Sequence, residues 1–203
     1  MIQAIVFDIG GVLIDLDMEG CIRAFRENLG FERITELLDP FHQKGVYGDM
    51  EEGVVSADEF RRQVLADSRP GSVPEDVDRS MYALLASVDQ DAVAVLKDLR
   101  ERYPLYLLSN NNPIAMEHIL DMFREQGIDP ETTFRDQFIS CDMKLLKPSP
   151  EIYQEAVRRI GLPAGDILFI DDNFDNVEAA RKEGLMARHL QGGVRLSTLL
   201  ADL

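Results

Sequence analysis

The chain opens on Ala4-Ile5-Val6-Phe7, a short, continuously apolar and partly β-branched run that is cut off by Asp8. A run this short with no polar residue fits a strand buried on both faces of a parallel sheet. Comparable runs recur at Leu105-Tyr106-Leu107-Leu108, at Gln137-Phe138-Ile139-Ser140, at Ile167-Leu168-Phe169-Ile170 and, more weakly, around Leu185 to His189, with helical patterns between them. The alternation predicts an α/β fold with about five parallel strands.

Helix ends are readable. Ser149 followed by Pro150 reads as an N-cap with proline at the first helical position, and the helix from Glu151 to Ile160 stops at Gly161. A second helix, Asn176 to Glu183, stops at Gly184. Between Asp17 and about Val88 no strand-like run occurs. That stretch reads as several amphipathic helices, one of them starting at Ser56 with Glu59 completing a capping box. This insertion of roughly seventy residues, longer than an ordinary βα crossover, isolates the first strand from the rest of the sheet. The expected organisation is an α/β core formed by residues 1–16 and 89–203, with an inserted helical domain over 17–88.

Composition limits the partners. With 21 Lys plus Arg against 37 Asp plus Glu, the formal charge of -16 would repel a phosphate backbone, so nucleic acid is not expected. Cys21 and Cys141 are too few and too far apart for a disulfide framework or a zinc site, which predicts a reducing, cytoplasmic location. The N-terminal apolar run is too short for a signal sequence, and no stretch approaches the ~18 apolar residues of a membrane span. A monomer or weak homodimer is expected.

In a doubly wound sheet, polar residues placed just after each strand converge on one crevice. The first strand delivers Asp8, the second Ser109 and Asn110, the fourth Asp171 and Asp172, and Lys147 follows the third after a short loop. These types suit phosphoryl transfer. Asp8 can attack phosphorus and split hydrolysis into two steps through an acyl phosphate. Asp171 and Asp172 can hold Mg²⁺ beside it, relieving the repulsion between carboxylate and phosphate. Lys147 adds positive charge, Ser109 can donate to a phosphate oxygen, and N–H groups of the Ile9-Gly10-Gly11 turn can cradle the others. Each motif alone is weak; the shared register after successive strands gives the set its weight.

The stretch Val6-Phe7-Asp8-Ile9-Gly10-Gly11-Val12, with Leu108-Ser109-Asn110, Lys147-Pro148 and Ile170-Asp171-Asp172-Asn173-Phe174-Asp175-Asn176, resembles the four motifs of the haloacid dehalogenase superfamily in order and spacing. The resemblance spans essentially the whole chain. It implies a Rossmann-like three-layer α/β/α core with a parallel sheet, and makes the helical insertion a mobile cap placed as in subclass I. It further implies Asp8 as nucleophile and metal ligand, Gly10 as a ligand through its carbonyl, Asp172 as a further ligand and Asp171 supporting the same Mg²⁺. Ser109 and Lys147 match the phosphate-binding hydroxyl and lysine, Asn110 lies beside them, and Asn176 falls at a structural position.

One departure stands out. Most phosphatases of this superfamily carry an aspartate two residues after the nucleophile as general acid and base; here that position is Gly10. A general acid is worth ~10²–10⁴ in rate, and its loss penalises poor leaving groups most. This points to a small phosphorylated substrate with a good leaving group, such as a sugar-1-phosphate or acyl phosphate. It agrees with a closer resemblance to bacterial α-glucose-1-phosphate phosphatases, carried by Ile-Asp-Leu-Asp after the first motif, by Lys-Pro-x-x-x-Ile-Tyr-Gln and by Asp-Asp-Asn-x-Asp-Asn. The alternatives are a dehalogenase using Asp8, a phosphomutase, and a regulator that binds a phosphorylated ligand without turnover. Asp15 and Asp17 could supply the missing acid but read as structural. His42, Lys44, Tyr47 and Asp49 could lean over the substrate or form a solvated turn. The acidic runs at Asp49 to Glu52 and Glu75 to Asp78 read as solvated faces, and His118, His189 and Cys141 as structural.

Overall fold

The computed structural model describes residues 1–39 and 43–203. Strand β1 (Ala4–Phe7) is buried along its whole length, as its unbroken apolar run requires. β2 (Ile14–Leu16) follows, then helices α1 (Met18–Ala24), continued by a π-helical turn Phe25–Leu29, α2 (Ile34–Leu37), α3 (Gly45–Glu51), α4 (Ala57–Ala66) and α5 (Pro74–Tyr82). β3 (Leu85–Val88), α6 (Gln90–Leu99), β4 (Leu105–Ser109), α7 (Pro113–Glu125), α8 (Pro130–Thr133), β5 (Phe134–Ile139) and α9 (Ser140–Met143) come next. The chain finishes with α10 (Pro150–Ile160), β6 (Ile167–Asp171), α11 (Phe174–Lys182), β7 (Met186–His189) and α12 (Leu196–Leu199).

Five strands form one parallel sheet in the order β5-β4-β1-β6-β7. Side chains alternate across it. Ile5, Phe7, Leu105, Leu107, Leu168 and Ile170 pack with Leu96 of α6 and Ile119 and Phe123 of α7. Ala4, Val6, Leu108, Phe138 and Phe169 pack on the other face with Ile152 and Tyr153 of α10 and Ala180 of α11. The result is three layers, the α/β/α arrangement expected. Burying a Val, Leu, Ile or Phe side chain stabilises by roughly 1.5–3 kcal/mol, so the doubly covered strands β1 and β6 anchor everything placed at their carboxyl ends.

The helices between β2 and β3 gather a separate apolar cluster that includes Phe25, Ile34, Tyr47, Met50, Phe60 and Met81, joined by Ile114 from α7. Contrary to the expectation of no strand between Asp17 and about Val88, β3 forms there and pairs antiparallel with β2, Ile14 with Val88 and Leu16 with Leu85. Leu85-Ala86-Ser87-Val88 has little β-branched character, and its partner lies some seventy positions away, so no local pattern announces the ribbon. Among the described residues no helix is long and apolar enough to cross a membrane.

The helix ends behave partly as read. Pro150 begins α10 and Gly161 closes it in the left-handed region at φ 75°. The Ser56 hydroxyl accepts from Glu59 N at 3.2 Å, but the Glu59 carboxylate turns to Arg62 and Gln63, so only half of the capping box forms. α11 starts two residues earlier than expected because Asn173, its side chain accepting from Asp175 N at 2.8 Å, is the cap.

Candidate active site

β1 ends by aiming Asp8 into the crevice where β4 delivers Ser109 and β6 delivers Asp171 and Asp172. One ligand oxygen from each of Asp8, Asp171 and Asp172 falls within a 4.8 Å cluster. Lys147 Nζ lies 2.9 Å from Asp8 Oδ1 and 2.6 Å from Asp171 Oδ2, buried with both. Asn110 holds the lysine there: its amide donates to Lys147 O at 2.9 Å and its carbonyl accepts from Lys147 N at 2.8 Å. The Asn110 side chain is thus spent on the backbone of Lys147.

Asp171 is fully buried and saturated. It accepts from Asn173 N at 2.8 Å and from Asn176 Nδ2 at 3.1 Å to both oxygens, besides Lys147. Asn176, read as structural, is therefore a donor to this carboxylate, and Tyr153 Oη donates to the Asn176 carbonyl at 3.0 Å. Asp172 differs. It is half-buried, and apart from its own backbone N–H no residue donates to its carboxylate or pairs with it among the described residues. Gly11 makes room for it: a Cβ on Gly11, which sits at φ +68°, would meet Asp172 Oδ2 at 2.2 Å.

The turn after Asp8 is a smaller anion cradle than expected. Ile9 N donates to Asp8 Oδ1 at 2.7 Å and Gly11 N to Ile14 O at 2.9 Å, so those two N–H groups are committed and the Gly10 N–H remains. Ser109 is buried, lines the cavity and makes no hydrogen bond through its hydroxyl among the described residues.

Charge in the site is unbalanced. Burial pushes the Asp8 carboxyl up to about 7, with Lys147 pulling it down and Asp171 and Asp172 pushing it further up. Burial and then Asp171 also raise Asp172. For Lys147 burial works against the charge, but Asp171 and Asp8 outweigh it and the ammonium is held above its ordinary range. Three carboxylates facing one ammonium, one of them unpartnered, form an all-oxygen donor set that fits a hard divalent cation.

The profile of haloacid dehalogenase-like hydrolases matches residues 2–184. The chain belongs to the haloacid dehalogenase-like hydrolase family. It is 32% identical over 186 residues, 91% of this chain and 89% of the other, to D-ribitol-5-phosphate phosphatase of Bacteroides thetaiotaomicron. A HAD-family enzyme of that organism, solved in complex with magnesium and inorganic phosphate, superposes with a TM-score of 0.90 at 29% identity, covering 98% of this chain and 100% of that one. A HAD-like hydrolase structure from Porphyromonas gingivalis gives 0.87 at 31% identity, covering 100% and 97%.

Within this hydrolase, Asp15 and Asp17 stand outside the cavity. Asp15 accepts from Ser87 Oγ at 2.8 Å and Asp17 caps α1 through Gly20 N at 2.7 Å, structural roles as expected. Of the insertion residues, His42 lies outside the described residues, Lys44 is exposed and pairs with Asp39 at 2.9 Å, Asp49 is exposed, and Tyr47 lines the cavity. His118 stacks on Tyr82, ring centroids 4.3 Å apart, and His189 Nε2 sits 2.8 Å from Asp172 O. Glu51 overturns its reading as part of a solvated face: it is buried and lines the cavity, while Asp49 and Glu52 on either side are exposed. The signal was helical spacing, since Tyr47, Met50 and Glu51 share one face of α3.

Proposed function

We propose that this hydrolase is a magnesium-dependent phosphatase of small phosphomonoesters that works through an aspartyl-phosphate on Asp8. The observation that carries the reading is the convergence of Asp8, Asp171 and Asp172 within 4.8 Å beside a buried Lys147. Asp8 Oδ1 accepts from Ile9 N and Lys147, which leaves Oδ2 as the oxygen free to attack phosphorus. Lys147, fixed by Asn110 and Asp171, faces the phosphoryl oxygens as a permanent positive charge. The Ser109 hydroxyl and the Gly10 N–H donate to them. Asp8, Asp172 and the Gly10 carbonyl would hold Mg²⁺, with Asp171 supporting it and orienting Lys147. Bound there, the cation supplies the charge neutralisation that lets a carboxylate approach a phosphate dianion.

The cavity measures about 100 Å³, against the ~300–1,000 Å³ of pockets that engulf drug-sized ligands. A compact substrate follows, with the helical segment over residues 17–88 acting as a cap that closes on it. The relative that hydrolyses D-ribitol-5-phosphate supports a polyol or sugar phosphate. A sugar-1-phosphate is the second reading, favoured by the glycine at position 10. Phosphate release from p-nitrophenyl phosphate, sugar-1-phosphates, sugar-6-phosphates and ribitol-5-phosphate, each with Mg²⁺ and with chelator, tests both. Magnesium-dependent release is the expected result; none from any ester overturns the reading.

A further inference from the structure

Glu51 is the carboxyl group of the cavity that the chemistry at Asp8 leaves unused. It stands at the end of α3, lines the same cavity as Asp8, Ser109 and Lys147, and is only 9% exposed. Two contacts fix that helix end over the site. Ser140 Oγ, at the carboxyl end of β5, donates to the Glu51 carbonyl at 2.5 Å and itself accepts from Asn111 N at 2.9 Å. Gly53 packs so tightly on the Cys141 carbonyl that a Cβ would stand 2.2 Å from its oxygen. The family's usual acid position cannot contribute, because Gly10 has no side chain; the nearest atom to where its Cβ would be is Leu16 Cδ1, at 3.1 Å.

Resting on the phosphatase reading, we propose that Glu51 is the acid–base residue of this enzyme and serves the leaving group from the helical insertion instead of from position 10. As the Asp8 oxygen bonds to phosphorus, the bond from phosphorus to the ester oxygen breaks, and that oxygen takes the proton of the Glu51 carboxyl and leaves as the alcohol. The Glu51 carboxylate then takes a proton from water as the water oxygen bonds to phosphorus. The acyl phosphate bond breaks, Asp8 is restored and phosphate is released. Glu51 keeps its proton near neutrality: burial and then Asp8 push its carboxyl up to about 8 while Lys147 pulls it down. The other titratable groups facing it are Tyr47 on its own helix and Cys141 of α9.

The test is kcat/KM of the magnesium-loaded protein and its Glu51→Gln variant on sugar-6-phosphates and on p-nitrophenyl phosphate. The amide keeps shape and neutrality, and Ser140 binds the backbone of residue 51, so the fold is retained. The expected result is a loss of about 10²–10⁴-fold on the sugar phosphates and a far smaller one on p-nitrophenyl phosphate, whose leaving group needs no proton. An equal loss on both, or none, overturns the assignment. Should the amide fail to fold, Glu51→Asp is read the same way, and a loss not selective for sugar phosphates overturns it. Absence of turnover by the unsubstituted enzyme on every ester would instead sink the phosphatase reading itself.

Discussion

Gly11→Ala separates the metal-site geometry from the fold. Gly11 sits at φ +68°, where an alanine costs about 1–2 kcal/mol. The new methyl would also lie 2.2 Å from Asp172 Oδ2, 2.5 Å from its Cγ and 3.2 Å from its Cβ, so the whole carboxylate must move out by about 1 Å to reach ordinary contact at 3.4 Å. Asp172 can yield because its carboxylate has no other partner among the described residues. The steric cost therefore falls on the position of a metal-binding oxygen, and the stability loss stays near the backbone strain alone. A misplacement of about 1 Å costs on the order of 10²-fold in rate, which is about 2.7 kcal/mol of transition-state stabilisation at 1.36 kcal/mol per tenfold. Denaturant unfolding in chelator and phosphate release titrated with Mg²⁺ measure the two parts. The expected variant unfolds about 1–2 kcal/mol earlier, turns over roughly a hundredfold more slowly and needs more Mg²⁺ for half-activation. Unchanged turnover and magnesium dependence would refute the placement of Asp172 at the cation.

Asp8→Asn should abolish phosphate release while the melting temperature in chelator stays level or rises, because one of three crowded carboxylates becomes neutral; residual turnover at the wild-type level would sink the nucleophile assignment. Gly10→Asp in the Glu51→Gln background should restore turnover of sugar-6-phosphates. The Leu16 side chain that crowds position 10 at 3.1 Å can shift, and an unchanged ratio of sugar-6-phosphate to p-nitrophenyl phosphate turnover would count against a protonation requirement at that oxygen.

Much of the site was legible because its logic is that of the sheet. Strands covered on both faces must be apolar throughout, so Ala4–Phe7 and Ile167–Asp171 announce themselves, and the residues just beyond them meet whatever the helices do. The structure brings Asp8, Ser109, Lys147, Asp171 and Asp172 together on that logic. The ribbon of β2 and β3 was not legible, since its pairing is non-local and its residues are poor strand formers. Glu51 was hidden by its neighbours: an acidic run reads as solvent-facing until the helical period shows that Asp49 and Glu52 point out while Glu51 shares the face of Tyr47 and Met50. Asn110 was assigned by proximity to phosphate, whereas its hydrogen bonds go to the backbone of Lys147.

In the proposed mechanism Asp8 and Glu51 need opposite protonation states near neutrality. Asp8 must lose its proton to attack, and burial places that loss at about 7. Glu51 must keep its proton to serve the leaving group, and burial delays its loss until about 8. As pH rises, kcat/KM on an alkyl phosphate therefore climbs as Asp8 ionises and falls as Glu51 does, giving a bell. A cation bound to the Asp8 carboxylate favours its ionised form, so saturating Mg²⁺ moves the rising limb to lower pH, and by offsetting the Asp8 charge that helps raise Glu51 it moves the falling limb down as well, leaving burial as the main cause that holds it up. The Glu51→Gln variant should keep the rising limb and lose the falling one. A falling limb that survives that substitution would assign it to another group; the further titratable neighbours of Glu51 are Tyr47 in the cavity wall and Cys141 of α9, both raised above their ordinary ranges by burial.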